Sequence, residues 1–225
     1  KNCLHPGVGN TFEPDWGLLL TPLGEYFWTY FVFNGEYFWT LTLEILKNQF
    51  PYIKLTPGEE ALKTFNICPS DKISVITGAE ETPVFSYKKW GFTTKVGNKS
   101  FFQFNSRIET IRKSAYWLNL FDKSRCLVPM SGFIEWKDKT PYLFTLKTKN
   151  LFYVPGILKT EKGEDFVSLI TCEANELVRE YHSKNRMAVI LTANDKYLSN
   201  SLEENLNKCV PYPAEQMEVS KVEGI

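Results

Sequence analysis

The stretch that most constrains the fold runs from Arg125 to Lys137 and reads R-C-L-V-P-M-S-G-F-I-E-W-K. It opens with apolar residues, breaks at Pro129, turns at Ser131-Gly132 and resumes with apolar residues at Phe133. A Pro/Gly break between β-branched and aromatic residues is typical of two strands joined by a tight turn. The stretch therefore predicts a strand, a turn and a second strand.

Glu135 is the unusual residue of this stretch, because it lies between the apolar Ile134 and Trp136. Burial beside apolar neighbours raises the pKa of a carboxyl group. A carboxyl group with such a pKa can give and take protons near neutral pH. The alternative interpretation is a strand glutamate that faces solvent, and this stretch alone leaves both interpretations open.

Length and charge set the broad class of the protein. With 225 residues the chain suits one large domain, or one domain with an appendage, and it is long enough to bury a substantial core. Its 26 lysines and arginines balance 26 aspartates and glutamates, so the overall field does not favour nucleic acid as a partner. A local basic groove stays open as an alternative.

The five cysteines, at positions 3, 68, 126, 172 and 209, are odd in number and include no C-x-x-C pair. This pattern argues against a disulfide framework and a zinc site, and it favours a reducing compartment. No apolar run of about 18 residues predicts a membrane span, and no signal peptide is visible. We therefore expect a protein that uses no metal, cofactor or membrane and is a monomer by default.

Two copies of G-E-Y-F-W-T, at 24–29 and 35–40, lie on either side of Asn34-Gly35. Asn-Gly is the strongest two-residue signal for a hairpin turn. The region therefore predicts a β-hairpin made of Glu25–Phe33 and Glu36–Leu43.

The remaining pattern is mainly of strands, with a few helices. Apolar spacing predicts helices at Glu59–Phe65, Arg107–Lys123, Glu173–Ser183 and Asp195–Leu206, the last capped by Asn194. Extended segments are expected at Phe65–Ile76, Pro83–Phe92, Tyr142–Lys147, Leu151–Ile157, Phe166–Thr171, Met187–Leu191 and, as a tail, Val210–Val222. Since strands and helices do not alternate, we expect an α+β fold in which mainly antiparallel twisted sheets form a barrel-like core with peripheral helices.

Few polar residues lie in apolar surroundings, and these are the candidates for chemistry. They are Asn105, Arg107, Glu135, Thr171 and His182. The chain lacks a phosphate-binding loop, a dinucleotide fingerprint, a zinc-protease motif and a serine-hydrolase elbow. Each candidate also has an ordinary interpretation: Asn105 as a helix cap, Arg107 as a surface cation, Thr171 as a strand-end hydroxyl and His182 as a solvated helix residue.

Eight short sequence segments occur one after another between Phe65 and the C-terminus, a region of about seven tenths of the chain. They are F-N-I-C-P-S (65–70), W-G-F (90–92), F-N-S-R-I-E-T (104–110), R-C-L-V-P-M-S-G-F-I-E-W (125–136), T-P-Y (140–142), L-I-T-C-E-A-N (169–175), H-S-K-N-R-M-A-V-I-L (182–191) and V-S-K-V (219–222). Together they resemble the SOS response-associated peptidase (SRAP) family, which includes eukaryotic proteins that shield abasic sites. We expect an SRAP-like core at residues 65–225, with an atypical N-terminal segment at residues 1–64.

This resemblance implies a covalent reaction with abasic sites in single-stranded DNA. An abasic deoxyribose opens to an aldehyde, the α-amine of an N-terminal cysteine forms a Schiff base with it, and the thiol then closes a thiazolidine ring. An α-amine has a pKa of about 7.7–8.0, so that it is partly neutral at pH 7, unlike the amine of lysine. The neighbouring thiol traps the imine, which makes the cysteine a covalent nucleophile.

The resemblance also implies roles for three polar residues in the chemistry. Asn105 matches the asparagine that hydrogen-bonds the opened sugar, and Glu135 matches the glutamate that shuttles protons during imine formation. His182 matches the histidine near the sugar oxygen, which assists ring opening or reversal.

Three further residues are expected to contact DNA. Arg107 would hold a phosphate, and Thr171 would contact the backbone phosphate. Trp90 matches an aromatic residue that stacks on splayed bases, a common device for binding single strands.

The beginning of the chain departs from the family pattern, which starts Met-Cys-Gly-Arg and exposes the cysteine once Met is removed. This chain begins K-N-C-L-H, so the candidate nucleophile, Cys3, is not the first residue. An internal cysteine has no α-amine and cannot form the thiazolidine. Three interpretations stay open: Lys1-Asn2 is removed by processing or self-cleavage, the natural terminus is missing or altered upstream, or this member only binds DNA.

We therefore expect an abasic-site sensor of single-stranded DNA, cytoplasmic and nucleoid-associated in a bacterium or nuclear in a eukaryote. Two rival functions stay open: a DNA-binding module without cross-linking, and a peptidase that acts on its own N-terminus. The balanced charge predicts modest affinity for DNA with a shallow salt dependence, because few phosphates can be neutralised.

Overall fold

The computed structural model describes residues 32–33, 36–37, 48, 50–56, 67–79, 81–96, 98–148, 150–182, 184–192 and 195–222. The strands in these ranges are β1 (Val32–Phe33), β2 (Glu36–Tyr37), β3 (Lys54–Leu55), β4 (Lys72–Thr77), β5 (Val84–Trp90), β6 (Phe92–Val96), β7 (Lys99–Gln103), β8 (Asn105–Arg107), β9 (Arg125–Met130), β10 (Phe133–Lys137), β11 (Thr140–Leu146), β12 (Phe152–Glu161), β13 (Glu164–Glu173), β14 (Arg186–Ala188) and β15 (Met217–Lys221). The helices are α1 (Ile108–Ile111), α2 (Ala115–Lys123), α3 (Glu176–Arg179) and α4 (Leu202–Lys208), with a short 3-10 helix at Ala214–Gln216.

Five strands close into a ring in the order β13, β12, β9, β4, β5 and back to β13. The first four pairings are antiparallel, and the closing pair of β5 with β13 is parallel. Full closure leaves these five strands without a free edge. The expected α+β fold with a barrel-like, mainly antiparallel core and peripheral helices is therefore confirmed.

Close packing of apolar side chains holds the ring together. Val75, Val128 and Val154 are completely buried, and Val128 lies directly opposite Val154 across the pair of β9 and β12. At Gly156 of β12 a Cβ atom would come within 2.8 Å of the Cys126 sulfur. Neighbouring strands therefore pack at a distance that only glycine permits at this position, as expected of a core filled to native density.

The stretch Arg125–Lys137 forms β9, a turn and β10, as predicted, but Pro129 does not interrupt β9. Pro129 lies opposite Tyr153 of β12. The backbone N–H and carbonyl of Tyr153 both bond to Leu191 on the other side, at 2.8 Å each. The pair of Pro129 with Tyr153 is thus not a hydrogen-bonded one, and the missing N–H of proline costs no ladder bond there.

After the turn, β10 leaves the barrel and joins a separate sheet of order β10, β11, β15. All its pairings are antiparallel, and Glu135 lies opposite Tyr142. The tail expected to be extended over Val210–Val222 supplies the third strand of this sheet. The rings of Phe133 and Phe144 stack at 5.2 Å and anchor the sheet to the core.

The helix predicted over Arg107–Lys123 is wrong in its first part. Asn105–Arg107 is strand β8, which pairs in parallel with β13, and two separate helices follow it. Ser114 ends the first helical region and caps α2, accepting a hydrogen bond from the Trp117 N–H at 3.4 Å. Pairing with β13 outweighs the local helical spacing at Arg107.

The two later helices are also shorter than predicted. Strand β13 continues to Glu173, and Asn175 then caps the four-residue helix α3. The last helix begins at Leu202 and not at Asp195, because Ser201 and Glu204 form a reciprocal capping box. Asn194, the predicted cap, lies outside the described residues.

The N-terminal predictions are tested only in part. Strands β1 and β2 pair antiparallel across the predicted turn, with Phe33 opposite Glu36, which confirms the centre of the hairpin. The rest of the hairpin and the helix predicted at Glu59–Phe65 lie outside the described residues, and the boundary between residues 64 and 65 stays a prediction. Within the described part of the chain, no helix is long and apolar enough to cross a membrane.

Candidate active site

The site is built around the C-terminal half of β13, which lies between β8 and β14. Thr171 of β13 is directly opposite Arg107 of β8 on one side and Ala188 of β14 on the other. Two residues further, Glu173 is opposite Arg186. Because direct cross-strand partners share a face of a sheet, Arg107, Thr171 and Arg186 lie on the same face.

A second group of residues brings Glu135 against His182. The Glu135 Oε2 atom lies 3.5 Å from the His182 Nε2 atom, and the two side chains are 24% and 21% exposed. His182 follows α3, and its N–H bonds to the carbonyl of Val178 at 2.9 Å. The ring of Tyr181 packs on Tyr142, with centroids 4.6 Å apart, and so fixes this segment against the sheet that carries Glu135.

Burial and nearby charge set the protonation of this pair. Burial raises the pKa of Glu135 from its ordinary 4.5 to about 7, against the opposing effect of the Arg186 charge. Burial and the positive charges of Arg186 and Lys184 lower the pKa of His182. The raised pKa expected for Glu135 is thus present in the structure, and its cause is burial.

The hydrogen bonds of His182 also fix which ring nitrogen carries the proton. The backbone N–H of Arg186 donates to His182 Nδ1 at 3.2 Å. Nδ1 must therefore be unprotonated, and in the neutral ring the proton lies on Nε2, the nitrogen that faces Glu135. His182 is a half-buried residue beyond the end of α3, so the interpretation as a solvated helix residue is wrong.

Arg186 connects the two groups and was missed by the sequence reasoning. Its guanidinium donates to the Thr171 hydroxyl. It forms no ion pair among the described residues, although burial and the charge of Arg107 lower its pKa. The available signal was an arginine at the start of a short apolar strand, R-M-A-V-I-L, where a charge is out of place.

Arg107 and Thr171 differ in their access to solvent. The Arg107 side chain is 51% exposed and makes an ion pair of 3.5 Å with Glu109. Thr171 is only 6% exposed, and its hydroxyl oxygen is already occupied by Arg186. About half of the Arg107 side chain therefore faces solvent, whereas the Thr171 hydroxyl is bonded inside the protein.

Asn105 presents a buried acceptor to the same region. Its Oδ1 atom is buried and has no hydrogen-bond partner among the described residues. The residue does not cap a helix, because it lies in β8 and the N-cap of α1 is Arg107. A buried acceptor without a donor is rare in folded proteins, and it suits a site that a ligand donor completes.

Trp90, the residue expected to stack on bases, is anchored through its indole N–H. Its indole N–H donates to the carbonyl of Phe104 at 2.8 Å, and its ring meets that of Phe104 edge-on at 6.2 Å. The exposed rings nearby are Phe102 (47%) and Phe104 (38%), with centroids 6.0 Å apart. Trp90 thus supports a ridge of exposed phenylalanines whose solvent exposure the sequence did not indicate.

This ridge lies on the backbone of Gly91 and borders open space. A Cβ atom at Gly91, which has a φ of +100°, would overlap the ring of Phe102. Phe102 also borders a cleft of about 720 Å³ that is lined in part by Lys95 and Lys159. Phe104, the last residue of the ridge, directly precedes Asn105 in the chain.

The cysteines of the described part of the chain do not supply a poised thiol. Cys126, Cys172 and Cys209 are buried, and burial raises the pKa of the latter two to about 12. Cys68 is disulfide-bonded, which corrects the expectation of no disulfide for that residue. Cys3 lies outside the described residues. No cluster of three or more potential metal ligands occurs in the described ranges.

Comparison with known proteins points to one family. The family model of the SOS response associated peptidase (SRAP) matches residues 34–224. The abasic site processing protein YoqW of Bacillus subtilis is 28% identical over 205 residues, which cover 79% of this chain and 86% of that protein. The abasic site processing protein YoaM of the same organism is 28% identical over 201 residues, with the same coverage of both chains.

Solved structures share the fold. A protein from Bordetella bronchiseptica, 19% identical, superposes with a TM-score of 0.67 over 81% of this chain and 96% of that chain. A protein from Bacteroides thetaiotaomicron, 23% identical, superposes with a TM-score of 0.57 over 68% of this chain and 75% of that chain.

Proposed function

The chain belongs to the SOS response associated peptidase (SRAP) family, and on that premise we propose that it binds single-stranded DNA at an abasic site and cross-links to it through Cys3. The proposal requires that Cys3 be the first residue of the working protein and that its thiol be free and reduced. The observation that carries it is the pair of Glu135 and His182, 3.5 Å apart, with the pKa of Glu135 raised to about 7. The names of the curated relatives, abasic site processing proteins, agree with it.

The covalent reaction needs no oxidant or cofactor. The neutral α-amine of Cys3 adds to the aldehyde carbon of the opened sugar, and the resulting carbinolamine loses one water to give an imine. The thiol sulfur then adds to the imine carbon, while its proton goes to the nitrogen, and a thiazolidine ring closes. One C–N and one C–S bond form, and the aldehyde oxygen leaves as water.

Glu135 suits the proton transfers of this sequence. With a pKa of about 7 it can accept the proton that the attacking amine loses and return it to the departing hydroxyl. His182 stays neutral, because its pKa is lowered, and presents Nε2–H to the same region. The unpartnered Asn105 Oδ1 is a ready acceptor for a hydroxyl of the opened sugar.

Binding of the DNA strand is supported by charge and by exposed rings. Arg107 is half exposed and reaches outward as a cation for phosphate. Phe102 and Phe104 offer faces on which unpaired bases can stack. The net charge of +0 means that few phosphates are neutralised, so we expect a shallow decrease of affinity with salt.

The test is a denaturing gel of the chain beginning at Cys3, incubated with a single-stranded oligonucleotide that carries one abasic site. We expect a heat-stable shifted band, formed about 10²–10⁴-fold more slowly by Glu135→Gln. Glu161→Gln is the matched control, since Glu161 is a strand glutamate paired with Lys159 at 2.5 Å, and its rate should equal that of the wild type. Absence of the band from the chain that begins at Cys3 would overturn cross-linking and leave a DNA-binding module.

A further inference from the structure

We propose that Arg186 is the positioning residue of the site: its backbone N–H fixes the orientation of His182, the partner of Glu135, and its guanidinium, held by Thr171, adds a fixed positive charge to this site that keeps Glu135 available as a base. The consequence for cross-linking rests on the proposed function. The consequences for the two side chains themselves do not, because they are properties of the free protein.

The turn that precedes Arg186 sets the direction of its backbone N–H. Asn185 has a φ of +50°, a conformation that asparagine tolerates better than most residues. Its side chain accepts from Arg179 Nε at 3.0 Å and donates to Glu173 Oε1 at 3.1 Å. The turn is thus held from both sides, and it aims the Arg186 N–H at His182 Nδ1, 3.2 Å away.

Strand pairing and one hydrogen bond set the position of the guanidinium charge. Arg186 begins β14 opposite Glu173, and its guanidinium reaches along the face of β13 to the hydroxyl of Thr171. Thr171 is 6% exposed and lies in the middle of three paired strands, so its hydroxyl is a fixed acceptor. The guanidinium therefore cannot swing into solvent without losing its hydrogen bond.

Charged residues from several elements act on Arg186. Arg107 opposes its charge, while Glu109 and Glu135 act in its favour. Arg186 forms no ion pair within the described ranges, so no single carboxylate neutralises its charge. Glu135 and His182 both respond to it: the charge lowers the pKa of Glu135 against the effect of burial, and it lowers the pKa of His182 together with Lys184.

The orientation of His182 is measured on the wild-type chain, and one variant serves only for assignment. The sequence contains only two histidines, His5 and His182, so ¹⁵N-histidine labelling gives two pairs of ring-nitrogen signals, and His5→Gln assigns them. We expect His182 at pH 7 to be neutral, with the proton on Nε2. A proton on Nδ1, in either the neutral or the charged ring, would overturn the backbone part.

The charge is tested by following the titration of Glu135 by NMR with ¹³C-labelled glutamate, assigned with Glu135→Gln. Arg186→Gln removes the charge but keeps the backbone N–H, and we expect it to raise the titration midpoint of Glu135 by about one pH unit or more. Arg186→Lys keeps a charge and should restore most of the wild-type midpoint. Lys184→Gln is the matched control, because Lys184 acts on His182 and not on Glu135; it should leave the Glu135 midpoint unchanged.

Different results would contradict the role of the Arg186 charge and the proposed function. An unchanged midpoint in Arg186→Gln, or an equal rise in Arg186→Lys or Lys184→Gln, would overturn the role of the charge. Because these titrations need no DNA, they stand even if the chain that begins at Cys3 forms no cross-link, an outcome that would overturn only the proposed function. If cross-linking does occur, the rising limb of its pH–rate profile should move upward in Arg186→Gln by the same amount as the titration.

Discussion

Two arginines of this protein are partly buried, and their surroundings differ completely. Arg125, at the start of β9, makes an ion pair of 2.8 Å with Asp122 and donates to the carbonyls of Asp122 and Asn200 at 2.9 and 2.6 Å. Arg186, at the start of β14, has the hydroxyl of Thr171 and no ion pair among the described residues. The Arg125 guanidinium is bonded to several acceptors of the folded chain. The Arg186 guanidinium has one such acceptor, so it can still interact with other groups.

Two asparagines repeat this contrast. Asn175 accepts from the Val178 N–H at 2.9 Å and donates to the Tyr212 carbonyl at 2.7 Å, so it serves both a helix cap and a tertiary contact. Asn105 has a buried Oδ1 atom without a partner in the described part of the chain. Buried side-chain atoms without a partner also occur at Tyr197 and Asn205, but Asn105 lies in β8 next to the residues of the candidate site, where a ligand donor can complete it.

The largest expected difference in stability is between the two arginines. Arg125→Met leaves Asp122 and several carbonyl groups without a donor, so we expect the free energy of unfolding to fall by about 3 kcal/mol. Arg186→Met should change it by less than about 1 kcal/mol, because the variant loses one hydroxyl contact and relieves the repulsion with Arg107. Urea denaturation at pH 7 measures the free energy of unfolding of both variants. Equal losses would show that the two arginines contribute equally to stability.

An effect of up to similar size, which depends on pH, follows from the pKa of Glu135. A carboxyl group whose pKa rises from 4.5 to about 7 on folding stabilises the native state fully below pH 4.5. That contribution is lost as the pH rises through about 7, since the ionised form is the one that burial disfavours. Glu135→Gln should therefore be more stable than the wild type at pH 8, by up to about 3 kcal/mol, and no more stable at pH 4.5. Urea denaturation at the two pH values tests this sign, and an advantage at pH 4.5 alone would contradict it.

The smallest pair of effects compares the asparagines. Asn175→Ala removes a helix cap and a buried hydrogen bond, and should cost about 2 kcal/mol of stability. Asn105→Ala removes an acceptor that has no donor, so the free energy of unfolding should stay the same or rise by up to about 1 kcal/mol. Thermal and urea unfolding of the two variants provide the measurement. A loss at Asn105 as large as that at Asn175 would show that Asn105 is a structural residue.

Sequence reasoning predicted those features that depend on neighbours in the chain. The two strands around Ser131-Gly132 and the class of the fold follow from local patterns of β-formers and turn residues. In both cases the residues that decide the outcome are adjacent in sequence. The pKa of Glu135 is raised as expected, but for a different reason: Ile134 and Trp136 point to the other face of β10, and the residues beside its carboxyl group, such as His182, are distant in sequence.

Features that depend on distant pairing were not predicted. Arg107 was assigned to a helix, because nothing near it in the sequence shows that β8 pairs with β13. Arg186 was missed because its meaning depends on Thr171, His182 and Glu135, which three separate elements bring together. Likewise, nothing near Trp90 in the sequence shows that its indole N–H bonds to the carbonyl of Phe104, 14 residues further along the chain.

The central claim is that the site completes a covalent reaction of Cys3 with an abasic sugar. The most direct measurement is the intact mass of the denatured product formed by the chain beginning at Cys3 and a single-stranded oligonucleotide with one abasic site. We expect a species whose mass equals the sum of the two masses minus one water. It should be stable without a reducing agent and absent for Cys3→Ser. An unmodified protein mass, or an adduct that persists in Cys3→Ser, would contradict it.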